Sequence, residues 1–448
     1  MMTYTCHYAI THQQELINNS YNGRQEIFAA QNTRGSIFAA GGQVLAETQT
    51  DADGNERRVY PYDNLFAHAV GYATNGRFGV EAAANYYLIN SNARLSDKVA
   101  SDVAGSKYPG DSVVTTLDVG LQEVAAKSLG VYKGAIIVSE PSTGRILAMV
   151  SKPDFNPNEI DTLWDGLIQD KESTVLLNRV TQGLYPPGST FKIVTALEYI
   201  RENPDSYRQY SYQCNGRYSS GQDTINCYHG SVHGHEDFTR SFAKSCNASF
   251  ANIGMTLDRT RWGQTLDGLL FNQELPVTFA YNKSKLVVDA DTSDSDILQA
   301  SIGQGTTQIT PLHLNMITCA IANGGTVMKP YLVDHVKNNE GTVIKQFSPD
   351  SYKELLTQTE AAALTELMTA VVESGTGTKL AGLTYTAAGK TGSAEYNNVK
   401  TDSHAWFTGF APAQEPEVCV TIIIEGAGSG GDYAVPIAKR IFDEYFGV

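Results

Sequence analysis

Long apolar runs are missing from this chain. None of its 448 positions begins a run of about 18 apolar residues, so no segment reads as a membrane-spanning helix, and Met1–Ile10 lacks the basic-then-apolar layout of a secretory signal. Positive charge is in deficit. Thirty-three Lys and Arg against 48 Asp and Glu leave a net charge of −15, a surface that repels a phosphate backbone, and this excludes nucleic acid as an expected partner. Cysteine is sparse: Cys6, Cys214, Cys227, Cys246, Cys319 and Cys419 form no CxxC pair and no metal-ligand ladder, a usage compatible with either redox compartment. Cys214 and Cys227 bracket a polar loop and have the option of bridging, although near neighbours in sequence are more often unbridged. Repeats and low-complexity tracts are absent as well. What is present is a core, since 42% hydrophobic residues exclude a largely disordered chain.

The length fits about three domains, or equally one large core plus a smaller module. Composition shifts near Gly105–Asp111. Before it, a Gly-, Asn- and Tyr-rich stretch carries short apolar runs such as Val44–Ala46 and Leu65–Tyr72, the pattern of small strands and irregular structure. After it, Leu117–Leu129 reads as an amphipathic helix, and Ala135–Val138 and Ile146–Val150 flank Pro141-Ser142-Thr143-Gly144 as a β-hairpin. Helical patterns follow at Ser189–Glu202, Ala248–Leu257 and Thr359–Glu373. Thr384–Tyr396, His404–Phe410 and Val418–Glu425 look like three strands, closed by a helix over Val435–Phe446 with Pro436 in its first turn. An early hairpin, helices in the middle, then three strands and a helix describe an α+β fold: a mixed sheet covered by helices.

Three short motifs carry chemistry. In Tyr185-Pro186-Pro187-Gly188-Ser189-Thr190-Phe191-Lys192, Ser189 and Lys192 stand three apart, so a helix puts them on one face and brings the amine within reach of the hydroxyl. A serine is a poor nucleophile until a base takes its proton, and a lysine serves once burial or nearby positive charge lowers its pKa. The second motif is Ser245-Cys246-Asn247, with a hydroxyl able to relay a proton and an amide able to bind a peptide group. The third is Lys390-Thr391-Gly392-Ser393 within the strand pattern Ala387–Tyr396. There a cation beside a hydroxyl suits a carboxylate, and Gly392 leaves the strand edge open to an extended peptide. Taken singly, the motifs fit an N-cap and a solvated lysine, a capping pair, or a turn. In this order, each on the element its chemistry requires, they specify far more.

With these residues in view, the sequence resembles the penicillin-binding protein family, with Ser189/Lys192 as SxxK, Ser245/Asn247 as SxN and Lys390/Thr391/Gly392 as KTG. Gly134–Val138, Pro141–Gly144, Asn178-Arg179, Ile302–Gly305 and Trp406–Phe410 look like that family's flanking sequences. Arg34–Ile37, Arg58 with Tyr60-Pro61, and Ala67–Gly71 look like the non-catalytic pedestal of its class B members. Phe38-Ala39-Ala40-Gly41 departs from the polar turn usual there. The resemblance implies a penicillin-binding transpeptidase fold over residues 111–448, with an antiparallel sheet of about five strands covered by helices and an all-helical subdomain. Residues 1–110 would form the pedestal.

The activity implied is D,D-transpeptidation of peptidoglycan stem peptides. Ser189 would be the nucleophile, Lys192 its base and Ser245 the proton relay to the leaving amine, with Lys390 keeping Lys192 neutral by repulsion. Asn247 would bind the donor amide, Lys390 and Thr391 its terminal carboxylate beside Gly392 and Ser393, and the Ser189 and Ser393 backbone N–H groups would form the oxyanion hole. β-Lactams should acylate the same serine. The stretch before about Gly110 is too short for a glycosyltransferase, which favours the monofunctional class. That class carries one N-terminal membrane helix, so the chain is expected at the extracytoplasmic face of the bacterial membrane, among other cell-wall synthesis proteins. A serine β-lactamase needs a water-activating residue that no motif supplies, and a β-lactam sensor lacks the pedestal. No cofactor is expected. His229, His233 and His235 have a spacing compatible with zinc, yet lie in a Gly-rich segment without an obvious fourth ligand, so no metal is assigned; His404 reads as structural.

Overall fold

The hairpin expected around Pro141–Gly144 forms, with β1 (Gly134–Ser139) antiparallel to β2 (Ile146–Lys152) and Gly144 at φ +82 in the turn. A computed structural model describes residues 24–395 and 403–448; Met1–Ile10, Cys6 and Tyr396 fall outside these. The three strands expected late in the chain are β3 (Ala388–Glu395), β4 (Ser403–Ala411) and β5 (Val418–Ile424). Together they make a five-stranded, wholly antiparallel sheet in the order β3-β4-β5-β1-β2, with β3 on one edge. Every residue of β4 and β5 is buried, so these strands read as continuous apolar runs rather than alternating ones.

Helices cover this sheet and build a second layer beyond it. They are α1 (Lys192–Glu202), α2 (Phe238–Ala243), α3 (Asn247–Thr256), α4 (Arg259–Gly268), α5 (Asp294–Ser301), α6 (Pro311–Ala322), α7 (Gln358–Ser374) and α8 (Gly430–Phe446). α6 and α8 pack on the sheet, α7 packs on both β3 and α2, and α1 to α5 pack largely on one another and on the short strands beside them. The helical part is held by aromatics: Phe238 lies 6.5 Å from Phe250, Phe242 lies 6.1 Å from Phe250, and all three rings are buried. α7 starts in a capping box between Thr357 and Glu360.

The last helix departs from expectation. It begins at Gly430, five residues before Val435, so Pro436 sits inside it rather than in its first turn. Two glycines, poor helix formers, hide the true start. Gly430 is there for space: a Cβ would lie 2.2 Å from the Trp406 carbonyl oxygen and 2.5 Å from that of Gly392.

The chain divides into two compact units. One gathers the residues up to Gln122, Asp154–Leu176 and Tyr331–Ser348; the other gathers Glu123–Pro153, Leu177–Pro330 and Pro349–Val448. The first holds a six-stranded sheet that includes Ile37–Phe38 and Val44–Thr50, joined by a turn in which Ala39 N–H donates to Gln43 O at 2.8 Å. Beside it Glu81, fully buried, accepts from Arg34 Nε and Arg58 Nε at 2.7 Å each. Burial alone would raise the Glu81 carboxyl, but the two guanidiniums outweigh it and hold the group below its ordinary value. The second unit contains the sheet β1–β5, the helices α1 to α8 and all three motifs, while the first holds further helices such as Leu95–Ala104 and Ile160–Gln169.

Candidate active site

Ser189 lies in a single 3-10 turn, Gly188–Phe191, that runs into α1 at Lys192. In a 3-10 turn residues three apart eclipse, so Ser189 and Lys192 do share a face, by a tighter route than the α-helix expected. The turn is fixed from three sides. Trp406 Nε1 donates to Pro186 O at 3.1 Å, and Gly188 N–H donates to Gly303 O at 2.9 Å. Gly188 has φ +54, and a Cβ there would lie 2.9 Å from the Ser393 carbonyl oxygen and from Ala394 Cβ. Glycine thus lets the Ser189 turn touch β3.

Lys192 opens a helix that is buried almost all round, and its side chain is fully buried. Its amine donates to Ser245 O at 2.7 Å and Asn247 Oδ1 at 2.7 Å, with Ser245 Oγ at 3.2 Å. Ser189 is not among these partners. The peptide and amide oxygens of the second motif hold the amine in place. Burial lowers the Lys192 amine to about 8, partly opposed by Cys246, Cys227 and Glu236.

Ser245 follows α2 with φ 57, a left-handed backbone uncommon outside glycine and costly to hold. That conformation turns its hydroxyl between two amines, since Lys390 Nζ donates to Ser245 Oγ at 2.9 Å and to Thr391 O at 3.1 Å. Two donors on one hydroxyl oxygen occupy both lone pairs and leave its proton free to be given away. Lys390 is fully buried, and its amine is pushed well below its ordinary value, first by burial and then by Lys192. Burial lowers both amines first, and the repulsion between them is mutual, each ammonium disfavouring the other. The pair has room for one proton more readily than two.

Asn247 caps neither side idly: Oδ1 holds Lys192 and Nδ2 donates to Asn226 O at 3.0 Å. Thr391 Oγ1 lies 2.5 Å from Thr376 Oγ1, and Ser393 Oγ accepts from Gly430 N–H at 3.4 Å. Gly392 does more than leave an edge open. A Cβ there would come 3.0 Å from Pro187 O and Thr190 Cγ2, so its bareness lets β3 lie against the Ser189 turn. Ser189, Asn247, Ser393, Gln304, Glu395 and the Thr224–Gly230 segment line one cleft of about 400 Å³.

Several contributors escaped sequence reasoning. Gln304, with its amide oriented to match, pairs both ways with the Glu395 backbone at 3.1 Å and closes the end of the β3 edge. Glu236, fully buried, lies near enough to Lys192 to raise its amine, and no short motif announces it. Phe250 and Phe242 place rings 5.4 and 5.5 Å from the Lys192 and Lys390 amines. Of the three histidines in 229–235, the structure brings only His233 against cysteine, while His229 and His235 are exposed. His404 is buried and its Nδ1 accepts from Gly426 N–H at 3.2 Å, a structural part as expected.

The model of the penicillin binding protein transpeptidase domain matches residues 134–443, which contain every motif above, and that of the penicillin binding protein A dimerisation domain matches residues 34–113. The chain belongs to the penicillin-binding protein transpeptidase family. A peptidoglycan D,D-transpeptidase PbpA from Mycolicibacterium smegmatis is 32% identical over 436 residues, covering 91% of this penicillin-binding protein and 87% of the relative. A peptidoglycan D,D-transpeptidase MrdA from Acinetobacter baumannii is 28% identical, covering 86% and 65%. Among solved structures, the D,D-transpeptidase domain from Eggerthella lenta superposes with a TM-score of 0.83 at 29% identity, over 93% of this chain and 99% of that one. Penicillin-binding protein A from M. tuberculosis, as its ceftriaxone acyl-enzyme complex, gives 0.83 at 28% identity over 94% and 99%. The transpeptidase fold and the pedestal of class B members, expected from the motifs, are both present.

Proposed function

We propose that this penicillin-binding protein is a peptidoglycan D,D-transpeptidase that works through an acyl-enzyme on Ser189 and is acylated there by β-lactams. The observation that carries the reading is the convergence of Lys192 and Lys390 on Ser245 Oγ, beside the turn that presents Ser189 to the cleft. Lys192, in its neutral form, takes the Ser189 proton as the hydroxyl oxygen bonds to the carbonyl carbon between the two terminal D-alanines. Ser245 passes a proton to the departing amine, the C–N bond breaks, and one D-Ala leaves. An acceptor amine then repeats the sequence in reverse, forming the cross-link and restoring Ser189.

Lys390 and Thr391 would hold the donor's terminal carboxylate. The second N–H of Asn247 Nδ2 would meet its amide, and the Ser189 and Ser393 backbone N–H groups would receive the oxyanion. No cofactor enters this chemistry. Water in place of the acceptor would give D,D-carboxypeptidase side activity. Residues 111–448 would be the transpeptidase domain and 1–110 the pedestal, a reading supported by the two family matches. The protein would act at the extracytoplasmic face of the bacterial membrane, anchored by an N-terminal helix and beside other cell-wall synthesis proteins. Among the described residues no helix is long and apolar enough to cross a membrane.

The test is acyl transfer. Incubated with a D-Ala-D-Ala stem peptide or a thioester analogue and an acceptor amine, the protein should release one leaving group per cross-linked product, with Ser189→Ala inactive. Equal transfer by both proteins overturns the reading.

A further inference from the structure

Three thiols and one imidazole converge beneath the active site. Cys214 Sγ and Cys227 Sγ are 3.7 Å apart, Cys227 Sγ and Cys246 Sγ are 3.7 Å apart, and His233 Nδ1 is 3.4 Å from Cys214 Sγ. All four ligand atoms lie within 4.8 Å of one another, and the three cysteines are buried. Zinc–sulfur bonds of about 2.3 Å in a tetrahedron put two sulfurs about 3.8 Å apart, and a sulfur and a ring nitrogen about 3.5 Å apart. The three edges given above match those figures, and the other three are within 4.8 Å. A disulfide would draw two sulfurs to about 2.05 Å and leave the third thiol unpaired.

The surroundings fit a metal as well. Gly216 N–H donates to Cys214 Sγ at 3.4 Å and Ser249 N–H donates to Cys246 Sγ at 3.4 Å, the outer hydrogen bonds that thiolate ligands attract. We infer that Cys214, Cys227, His233 and Cys246 form a tetrahedral zinc site that fastens the 211–237 segment to the turn carrying Ser245 and Asn247. On binding, three thiols release three protons to solvent, and each thiolate and the neutral Nδ1 donates one electron pair. The unit then carries 2 − 3 = −1. No electron transfer is involved.

Such a site is structural, because four protein ligands leave no open position. Its consequence for catalysis comes through position. Cys246 stands between the two residues that hold Lys192, and Asn247 Nδ2 bonds to Asn226 O, next to Cys227. Zinc would lock the strands Ser211–Cys214 and Asp223–Asn226 onto the N-terminus of α3 and with them the geometry of the amine. The histidine trio seen in the sequence lacked a fourth ligand because three of the four ligands are cysteines, and one of those is 13 residues from His233.

The test uses the full chain, purified in reductant without chelator. Elemental analysis should return about one zinc per chain. Against a competing chromophoric chelator, His233→Ala and Cys214→Ser should each weaken retention by more than about tenfold, while His235→Ala, with its exposed ring, keeps the metal. Cobalt(II) added to the stripped chain should give sulfur-to-cobalt charge-transfer absorption that His233→Ala weakens. Stripping should slow penicillin acylation, and zinc should restore it with the far-ultraviolet spectrum unchanged. If Cys214→Ser fails to accumulate, the cobalt titration of His233→Ala decides. A stripped chain that takes up neither metal, or a purified chain without zinc whose intact mass is lighter by two hydrogens because two of these thiols are bridged, overturns the inference.

Discussion

Lys192 holds Ser245 at two points, donating to its carbonyl oxygen at 2.7 Å with its hydroxyl oxygen at 3.2 Å. A left-handed backbone at Ser245, φ 57, is what lets one amine face both atoms. The strain is held by the flanking hydrogen bonds from Ser245 N–H to Phe242 O at 3.1 Å and from Cys246 N–H to Ser241 O at 2.9 Å. The proposed base and the proposed proton relay are therefore hydrogen-bonded to each other, and on that proposal the protonation of Lys192 sets when they can work.

Acylation should be gated by pH. Burial places the Lys192 amine near about 8, so its neutral fraction, and with it the acylation rate, should rise about tenfold per pH unit from acid up to that value and then level off. Stopped-flow acylation by a penicillin between about pH 5 and about pH 9 measures this. A flat profile would exclude Lys192 as the base. The same shift has a sign in stability: between about 8 and the ordinary 10.5 the unfolded chain binds more proton, so the unfavourable contribution of Lys192 fades as pH rises through that window.

Asn247→Asp should move the profile in a known direction. Its Oδ1 lies 2.7 Å from Lys192 Nζ, and a carboxylate there favours the ammonium form. The midpoint should shift upward by about one unit or more, with acylation at neutral pH falling about tenfold while the high-pH plateau is largely recovered. A loss that is equal at every pH would assign Asn247 to substrate contact alone.

A glycine against the Ser189 turn and a control glycine in open space separate backbone strain from contact. Gly303 and Gly382 both have positive φ, +73 and +70, so an alanine at either costs about 1–2 kcal/mol for the left-handed conformation. At Gly382 a Cβ meets nothing within 4 Å, whereas at Gly303 it would lie 2.1 Å from Gly188 O. Gly303→Ala should lower the melting temperature more than Gly382→Ala, and it alone should slow acylation. Similar behaviour of the two variants would mean that the Gly188–Gly303 contact does not position Ser189.

Motifs and periodic elements could be read from the sequence because their signals are local. The Pro141–Gly144 turn, the run Val418–Glu425 and the Ser189/Lys192 spacing each declare themselves within a few residues. What escaped depends on residues distant in sequence. The early start of α8 is concealed by Gly430, whose purpose is visible only beside Trp406 and Gly392. The lowering of the two lysines depends on the residues that bury them, Glu236 belongs to no motif, and Gln304, within the Ile302–Gly305 stretch, shows its pairing with Glu395 only in the fold. The cysteines could not be assembled from spacing, since a strand end, a loop and a helix cap bring them together.

In the other unit, Glu81→Gln should destabilise strongly, because it leaves the largely buried guanidiniums of Arg34 and Arg58 without a counter-charge, a loss of about 3–5 kcal/mol in urea denaturation. The acid limb follows from the depressed carboxyl. Stability from Glu81 is complete above its ordinary 4.5 and is lost as pH falls through the lower folded value, so the variant should lack that component. A variant within about 0.5 kcal/mol of the parent would show that the triad contributes nothing net.

The most direct measurement is the intact mass of the protein after exposure to a penicillin. The parent should gain one penicilloyl group, Ser189→Ala should gain none under the same conditions, and peptide mapping should place the adduct on the peptide that contains Ser189. An adduct of equal yield in Ser189→Ala, or one mapped to another serine, would contradict the account.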